Sequence, residues 1–482
     1  MIFNSVTFFV YLVIALALYY ALPGKLRLAM LFGASIVFYG FWRWDYVWLM
    51  MYSIVLDFIC ALLIENATTR GRKRFWLGCS LVGNLGVLFY FKYLLLCVTT
   101  FEYVVSVAGL QFTIPHPDII LPLGISFYTF HGMSYSFDVY RGFIKAERDF
   151  LLFGTYVTFF PQLVAGPILR AREVMPYLVE RPPFALENLI VGGKRIINGL
   201  FLKVVVADNL AEFVDMGFAI EPRYLSAIDV WTLAFLFGFQ IYFDFSGYSQ
   251  IALGAAKMMG IVFPENFNFP YFSTSPREFW KRWHISLSSW IRDYLYLPLC
   301  GVQVRDESVG GLSEATDKKV ATRALFLTWS IMGMWHGANW TFLYWGVFHA
   351  TWIYVYRMVL PPLKSLPMRL RIYGGWVVTL LLAMASWIPF RSETLSGAFA
   401  MHSKLLNPWE YLSLGMRENT YIVAAMTMLA MCIVYIWHEV VSSKLRKLKF
   451  PNLLFDAASW GLQLALVFVF LRPVKQFIYF QF

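Results

Sequence analysis

Charge is what this sequence of 482 residues has least of. Asp, Glu, Lys and Arg together make up 14% of it, against about 25% in an average soluble domain. Hydrophobic residues reach 59% and the mean hydropathy is +0.60. That balance excludes an ordinary soluble enzyme, a disordered chain and a nucleic-acid-binding module. Cysteine is scarce as well: Cys60, Cys79, Cys97, Cys300 and Cys432 lie far apart, with no CxxC pair and no metal-ligand spacing. They are assigned to packing, and no metal site is expected. A serine nucleophile elbow, an HExxH helix and a P-loop are all missing, which removes the common soluble hydrolase and nucleotidase mechanisms. There is no inverted repeat and no low-complexity tract.

What is present is a succession of apolar stretches. About thirteen can be drawn, at 5–22, 28–42, 46–64, 75–98, 121–137, 149–166, 190–207, 227–245, 324–335, 340–359, 373–390, 420–438 and 453–471, some too short or too polar to cross a bilayer alone. The expected fold is an all-α polytopic membrane protein. It has about 11 to 13 membrane helices plus re-entrant or interfacial helices, in one membrane domain covering residues 1–482. The stretch 248–300, where SQIALGAAKMMGIV and WHISLSSWIRDYLYLPL alternate with NFNFPY, predicts the re-entrant part. Segment 5–22 lacks a basic leader and is kept as a first span.

The net charge of +11 resides in short loops between these stretches, which fits membrane topology better than a nucleic-acid partner. Loop 65–74 holds four basic residues, whereas Tyr93 to Tyr140 holds none. The first therefore faces the cytoplasm and the segment around 101–119 faces out. Basic residues at 301–323, 361–371 and 444–449 also face the cytoplasm, so the N-terminus and the C-terminal tail are predicted outside.

Polar residues in apolar surroundings mark partners, cavities or function. Asp244, with Ser246 and Tyr248 beside it in IYFDFSGYSQ, is either a cavity wall or a satisfied structural aspartate. Ser275, Pro276 and Glu278 form a helix start, followed by Lys281, Arg282 and His284. These cations either snorkel to lipid headgroups or attract an anionic, phosphate-bearing donor to a cytoplasmic mouth. In IMGMWHGANW, His336 lies among Gly333, Gly337 and Ala338, next to Trp335 and Asn339. Small neighbours let a backbone or a thin substrate approach the imidazole, which is a general-base candidate near pH 7 or else a core hydrogen-bonding group. His349, His131 and His438 read as structural or cavity-lining, and His116 and His402 as loop residues.

Several runs then resemble one family in order along the chain: LPLGISFYTF (121–130), SFDVYRG (136–142), FFPQLVAGPILR (159–170), YFDFSGYSQIALG (242–254), ENFNFPY (265–271), WHISLSSWIRDYLYLPL and WHGAN. They are similar to the membrane-bound O-acyltransferases, in particular to the alginate O-acetyltransferase branch. The resemblance implies a tunnel across the bilayer and a motif-bearing core at about 121–350. It makes His336 the histidine that performs the chemistry and His284 a second site histidine. Asp244, Ser246, Tyr248, Lys281, Arg282, Trp335 and Asn339 become tunnel or donor-binding candidates. No permanently bound cofactor is expected; acetyl-CoA is the donor substrate.

The aromatic tail Phe477 to Phe482 reads first as an interface anchor. It also resembles the aromatic C-terminal motif of this branch, which makes Tyr479 a candidate acyl relay. A phenol has a pKa near 10, so an aryl ester keeps much of a thioester's transfer potential. The resulting expectation is a bacterial inner-membrane O-acetyltransferase that passes acetyl groups outward for an alginate- or cellulose-type exopolysaccharide. An extracytoplasmic transferase or esterase-like partner, other exopolysaccharide machinery and membrane lipid would be its partners. A transporter or flippase of a lipid-linked or acyl substrate is the competing class.

Overall fold

The computed structural model describes residues 1–110, 112–164, 166–302, 317–363, 365–441 and 452–471. Every regular element among them is helical, as a chain surrounded by hydrocarbon requires, because a helix satisfies its backbone internally. Among the described residues, five helices are long and apolar enough to cross a bilayer: Trp44–Asn66, Arg70–Val107, Ala227–Met258, Met368–Arg391 and Glu418–Glu439.

The boundaries depart from the sequence expectation in three places. The span expected at 227–245 continues through SQIALGAAKM to Met258, so this part of the predicted re-entrant stretch is an extension of one 32-residue helix. At 1.5 Å per residue it is about 48 Å long. It starts at a capping box of Ser226 and Asp229 and stops before Gly260, which has a positive φ of 80°. The stretch expected at 75–98 is part of a 38-residue helix, interrupted by a π-helical turn at Phe89–Tyr93. The stretch expected at 149–166 is broken into Phe150–Thr158 and Phe160–Leu163. The break is at Phe159, and Pro161, in the first turn of the second helix, has no N–H to donate back across it; nine residues span only about 14 Å.

From 261 to 300 the chain does leave regular long helix. Two seven-residue helices, Pro276–Arg282 and Ile285–Ile291, meet at His284, followed by a π turn at Arg292–Tyr296. Two helix pairs come into close backbone contact through glycine, the usual device where no water drives helices together. A Cβ on Gly199 would lie 2.5 Å from the Gly247 carbonyl oxygen, and one on Gly254 would lie 2.6 Å from that of Gly192. Likewise a Cβ on Gly346 would lie 2.2 Å from the Trp329 carbonyl oxygen. Between these pairs sits an aromatic centre that includes Trp283, Trp345 and Trp387, each almost fully buried.

Candidate functional site

His336 is the last residue of the helix Lys318–His336, whose start is capped by Asp317. The helix carries it about 27 Å from the basic end of the segment. Its ring is buried and packs on Trp335 at 4.9 Å, Trp345 at 4.9 Å and Phe390 at 5.3 Å between centroids. The small residues beside it serve backbone approach. A Cβ on Gly333 would meet the Phe342 carbonyl oxygen at 2.3 Å, and one on Gly337 would meet the Phe342 ring at 2.0 Å. Of the two openings that small neighbours allowed, the space is taken by the following helix rather than left for a thin substrate.

The end of this helix is held by two adjacent side chains of the Phe89–Tyr93 π turn. Lys92 Nζ donates to the carbonyls of Trp335 at 2.5 Å and His336 at 3.2 Å, and the Tyr93 hydroxyl donates to that of Met334 at 3.0 Å. A helix C-terminus leaves such carbonyls without partners and carries negative partial charge, which a cation there offsets. Lys92 and His336 both line a cavity of about 100 Å³, together with Trp335, Val164 and the residues from Leu121 into the first turn of the Ile125–Arg141 helix. Nothing in the sequence singled Lys92 out, because its partners lie more than 240 residues away.

His284 has a left-handed backbone, φ 41° and ψ 58°, an unfavourable conformation for a residue with a Cβ. Two cross-chain bonds stabilise it: Ile285 N–H to the Asn266 carbonyl at 2.9 Å and Asn268 N–H to the Arg282 carbonyl at 2.9 Å. This twist turns the imidazole inward against Phe245, 4.6 Å away. Asn266 Oδ1 lies 3.1 Å from His284 Nδ1 and also accepts from the Ser286 hydroxyl at 2.9 Å and the Ser286 N–H at 3.2 Å. An acceptor oxygen at that position assigns the proton to Nδ1 and leaves Nε2 with a lone pair. His284 is also an electrostatic neighbour of His336, together with Lys92 and His349. Asn266 belongs to the ENFNFPY run, yet sequence reading did not mark the residue itself.

A second cavity, of about 620 Å³, opens on the basic side. Lys281 lines it together with Arg277, Arg292 and Arg357. Arg282 does not; it pairs with Glu278 one turn earlier at 2.7 Å. The inner wall of this cavity contains Trp280, Trp329 and Met332. Behind that wall Trp345 lies 5.8 Å from Trp280 and 6.0 Å from Trp329, and it touches His336 on its far side. An aromatic partition thus stands between the basic cavity and His336.

The remaining candidates are dispersed. Asp244 lines neither cavity; its Oδ1 is 2.6 Å from Lys203 Nζ, with both side chains 3% exposed. Lys203 lies on the π turn Phe201–Ala207 and also bonds Asp208 at 2.8 Å. Ser246 pairs with the Tyr242 hydroxyl. The Tyr248 ring stacks on Phe3 at 4.7 Å, and its oxygen accepts from the Phe3 N–H at 3.4 Å. Trp335 lines the cavity of His336 and stacks on Phe130. Asn339 accepts from the Thr341 N–H at the start of Trp340–Leu363 and donates to the Glu393 carbonyl. His116 pairs with Glu102 at 2.8 Å. His402, expected in a loop, lies in the helix Leu395–Leu406, with its Nδ1 2.6 Å from the Tyr344 hydroxyl. Tyr479 and the rest of the tail 477–482 lie outside the described residues, as do Arg305, Lys364 and the basic run 444–449.

A family model described as the membrane-bound O-acyltransferase family matches residues 145–390, which include His284, His336 and the whole basic cavity. The chain belongs to the membrane-bound O-acyltransferase family. It is 38% identical over 445 residues to a probable alginate O-acetylase of Azotobacter vinelandii, covering 91% of this chain and 85% of that one. A probable alginate O-acetylase of Pseudomonas aeruginosa is 38% identical over 443 residues, 88% of this chain and 80% of its own. A peptidoglycan O-acetyltransferase of Helicobacter pylori is 34% identical over 392 residues, covering 76% and 71%. This membrane-bound O-acyltransferase is a multi-pass membrane enzyme that uses an acyl donor, and the transporter reading falls away.

Proposed function

We propose that this O-acyltransferase moves an acetyl group from cytoplasmic acetyl-CoA to a hydroxyl acceptor outside the bacterial inner membrane. The observation that carries the reading is the position of His336: it lines the small cavity with Lys92 and is joined through Trp345 to the wall of the basic cavity. Arg277, Lys281, Arg292 and Arg357 suit the phosphates of the donor, and guanidinium groups bind phosphate oxygens in pairs. His336 takes the acceptor hydroxyl proton while the hydroxyl oxygen adds to the thioester carbonyl. The resulting tetrahedral oxyanion collapses, the carbon–sulfur bond breaks, and the thiolate leaves and is protonated. Burial among aromatic rings keeps water from competing for the acyl group.

In the same proposal the acceptor is Tyr479 of an externally placed tail, and an extracytoplasmic serine transferase passes the group to an exopolysaccharide. Similarity to alginate O-acetylases supports a polysaccharide of that kind. One membrane domain over 1–482, with the motif-bearing core at 121–350, accommodates both cavities. His284 is the second candidate base, favoured by the lone pair that its bond to Asn266 leaves on Nε2. The test supplies labelled acetyl-CoA to purified protein and to the His336→Ala, His284→Ala and Tyr479→Phe variants. Loss of label transfer in His336→Ala is expected. Wild-type transfer by that variant, with loss in His284→Ala, would reassign the base.

A further inference from the structure

His349 stands inside the partition between the basic cavity and His336. It is 0% exposed and boxed by Trp280 at 5.0 Å, Trp329 at 5.2 Å, Trp345 at 4.7 Å and Trp352 at 5.5 Å between centroids. Neither of its ring nitrogens has a hydrogen-bond partner among the described residues. This is costly, because a buried polar group left unpaired loses its hydration with no return, and native proteins rarely keep one without a use for it. A Leu or Phe would fill an aromatic box at lower cost. Two of the rings around His349, Trp280 and Trp329, line the basic cavity on their other sides, and a third, Trp345, touches His336. A donor that crosses this partition from the cavity to His336 passes His349.

We propose that His349 is a donor-binding residue: when the aromatic partition opens, its imidazole hydrogen-bonds the amide nearest the sulfur in the pantetheine arm of the thioester. The inference rests on the acetyl-CoA reading above. An imidazole suits the task because its neutral form offers one donor and one acceptor, matching the N–H and C=O of an amide. The unpartnered nitrogens are then satisfied by the donor, so stability is given up to favour the loaded state.

The test measures thiol release by the full-length protein in nanodiscs from three acetyl thioesters. These are acetyl-CoA, S-acetyl-N-acetylcysteamine, which keeps the amide nearest the sulfur, and S-acetylbutanethiol, which has no amide. His349→Phe is expected to melt at or above the wild-type temperature while losing about tenfold in kcat/KM with the first two donors, the size of one hydrogen bond. With the amide-free donor, wild type and variant should be equal. His349→Gln, which retains an amide donor and acceptor, should recover part of the loss, and it supplies the same comparison if His349→Phe does not fold. Equal rates with all three donors, or an equal loss that includes the amide-free one, overturn the inference. Failure of the underlying acetyl-CoA reading is seen separately, as no thiol release from acetyl-CoA by the wild-type protein.

Discussion

The pair Lys203–Asp244 separates a structural aspartate from a functional one. Both side chains are 3% exposed and 2.6 Å apart, and Lys203 has a second carboxylate, Asp208, at 2.8 Å. Removing one partner from a buried ion pair leaves an uncompensated charge and costs about 3–5 kcal/mol. The two removals are not equivalent here. Asp244→Asn leaves Lys203 still bonded to Asp208, so its cost should fall near that of one charge-assisted hydrogen bond, about 2–3 kcal/mol. Lys203→Met takes the shared cation from both carboxylates, and should reach about 5 kcal/mol. The double variant Lys203→Met/Asp244→Asn should then be more stable than Lys203→Met alone, which requires a coupling energy larger than the cost of Asp244→Asn, about 3 kcal/mol. The assay is unfolding in mixed micelles titrated with a denaturing detergent, with thiol release measured per folded molecule. A Lys203→Met protein within about 1 kcal/mol of wild type would refute the electrostatic reasoning. Full stability with lost transfer in Asp244→Asn would place the carboxylate in the chemistry instead.

Close backbone contact makes a second prediction. Gly346→Ala puts a methyl 2.2 Å from the Trp329 carbonyl oxygen and should destabilise by more than the roughly 1–3 kcal/mol of ordinary overpacking. Gly86→Ala, a helical site with nothing within 4 Å, should be neutral or gain about 0.5–1 kcal/mol; detergent-titrated unfolding of both variants checks this. Lys92→Met should leave the carbonyls of Trp335 and His336 without their cation and lower transfer about 10- to 100-fold, the cost of misplacing a reacting group. Tyr93→Phe, which removes the neighbouring anchor but no lining group of the cavity, should cost much less, and a comparison of kcat for the two variants decides it.

Much of the membrane character was legible because it depends on composition alone. Apolar runs and basic loops are local properties, and a helix is the local solution for a backbone in hydrocarbon. Boundaries were less legible. At Met258 the long helix outlasts the apolar stretch that predicted it, since the interior of the protein, with 83% of its most apolar window buried, replaces lipid as surroundings. At Phe159, two residues before Pro161, a helix breaks inside an apolar run, because hydropathy counts side chains while the proline's missing N–H belongs to the backbone.

The site divides in the same way. The candidates His336, His284, Lys281 and Trp335 could be proposed from the sequence because their types and near neighbours carry a chemical meaning by themselves, and these runs also carry the resemblance to acyltransferases. What the tertiary structure alone decided is which groups share a space. Lys92 comes under the end of a helix 243 residues away, Asn266 reaches across to hold His284, and Lys203 draws Asp244 away from both cavities. His349 acquires meaning only from the four tryptophans that enclose it. The physical reason is range: propensity and hydropathy act over one or two turns of chain. Hydrogen bonds and ion pairs act over about 3 Å of space and take no account of separation in sequence.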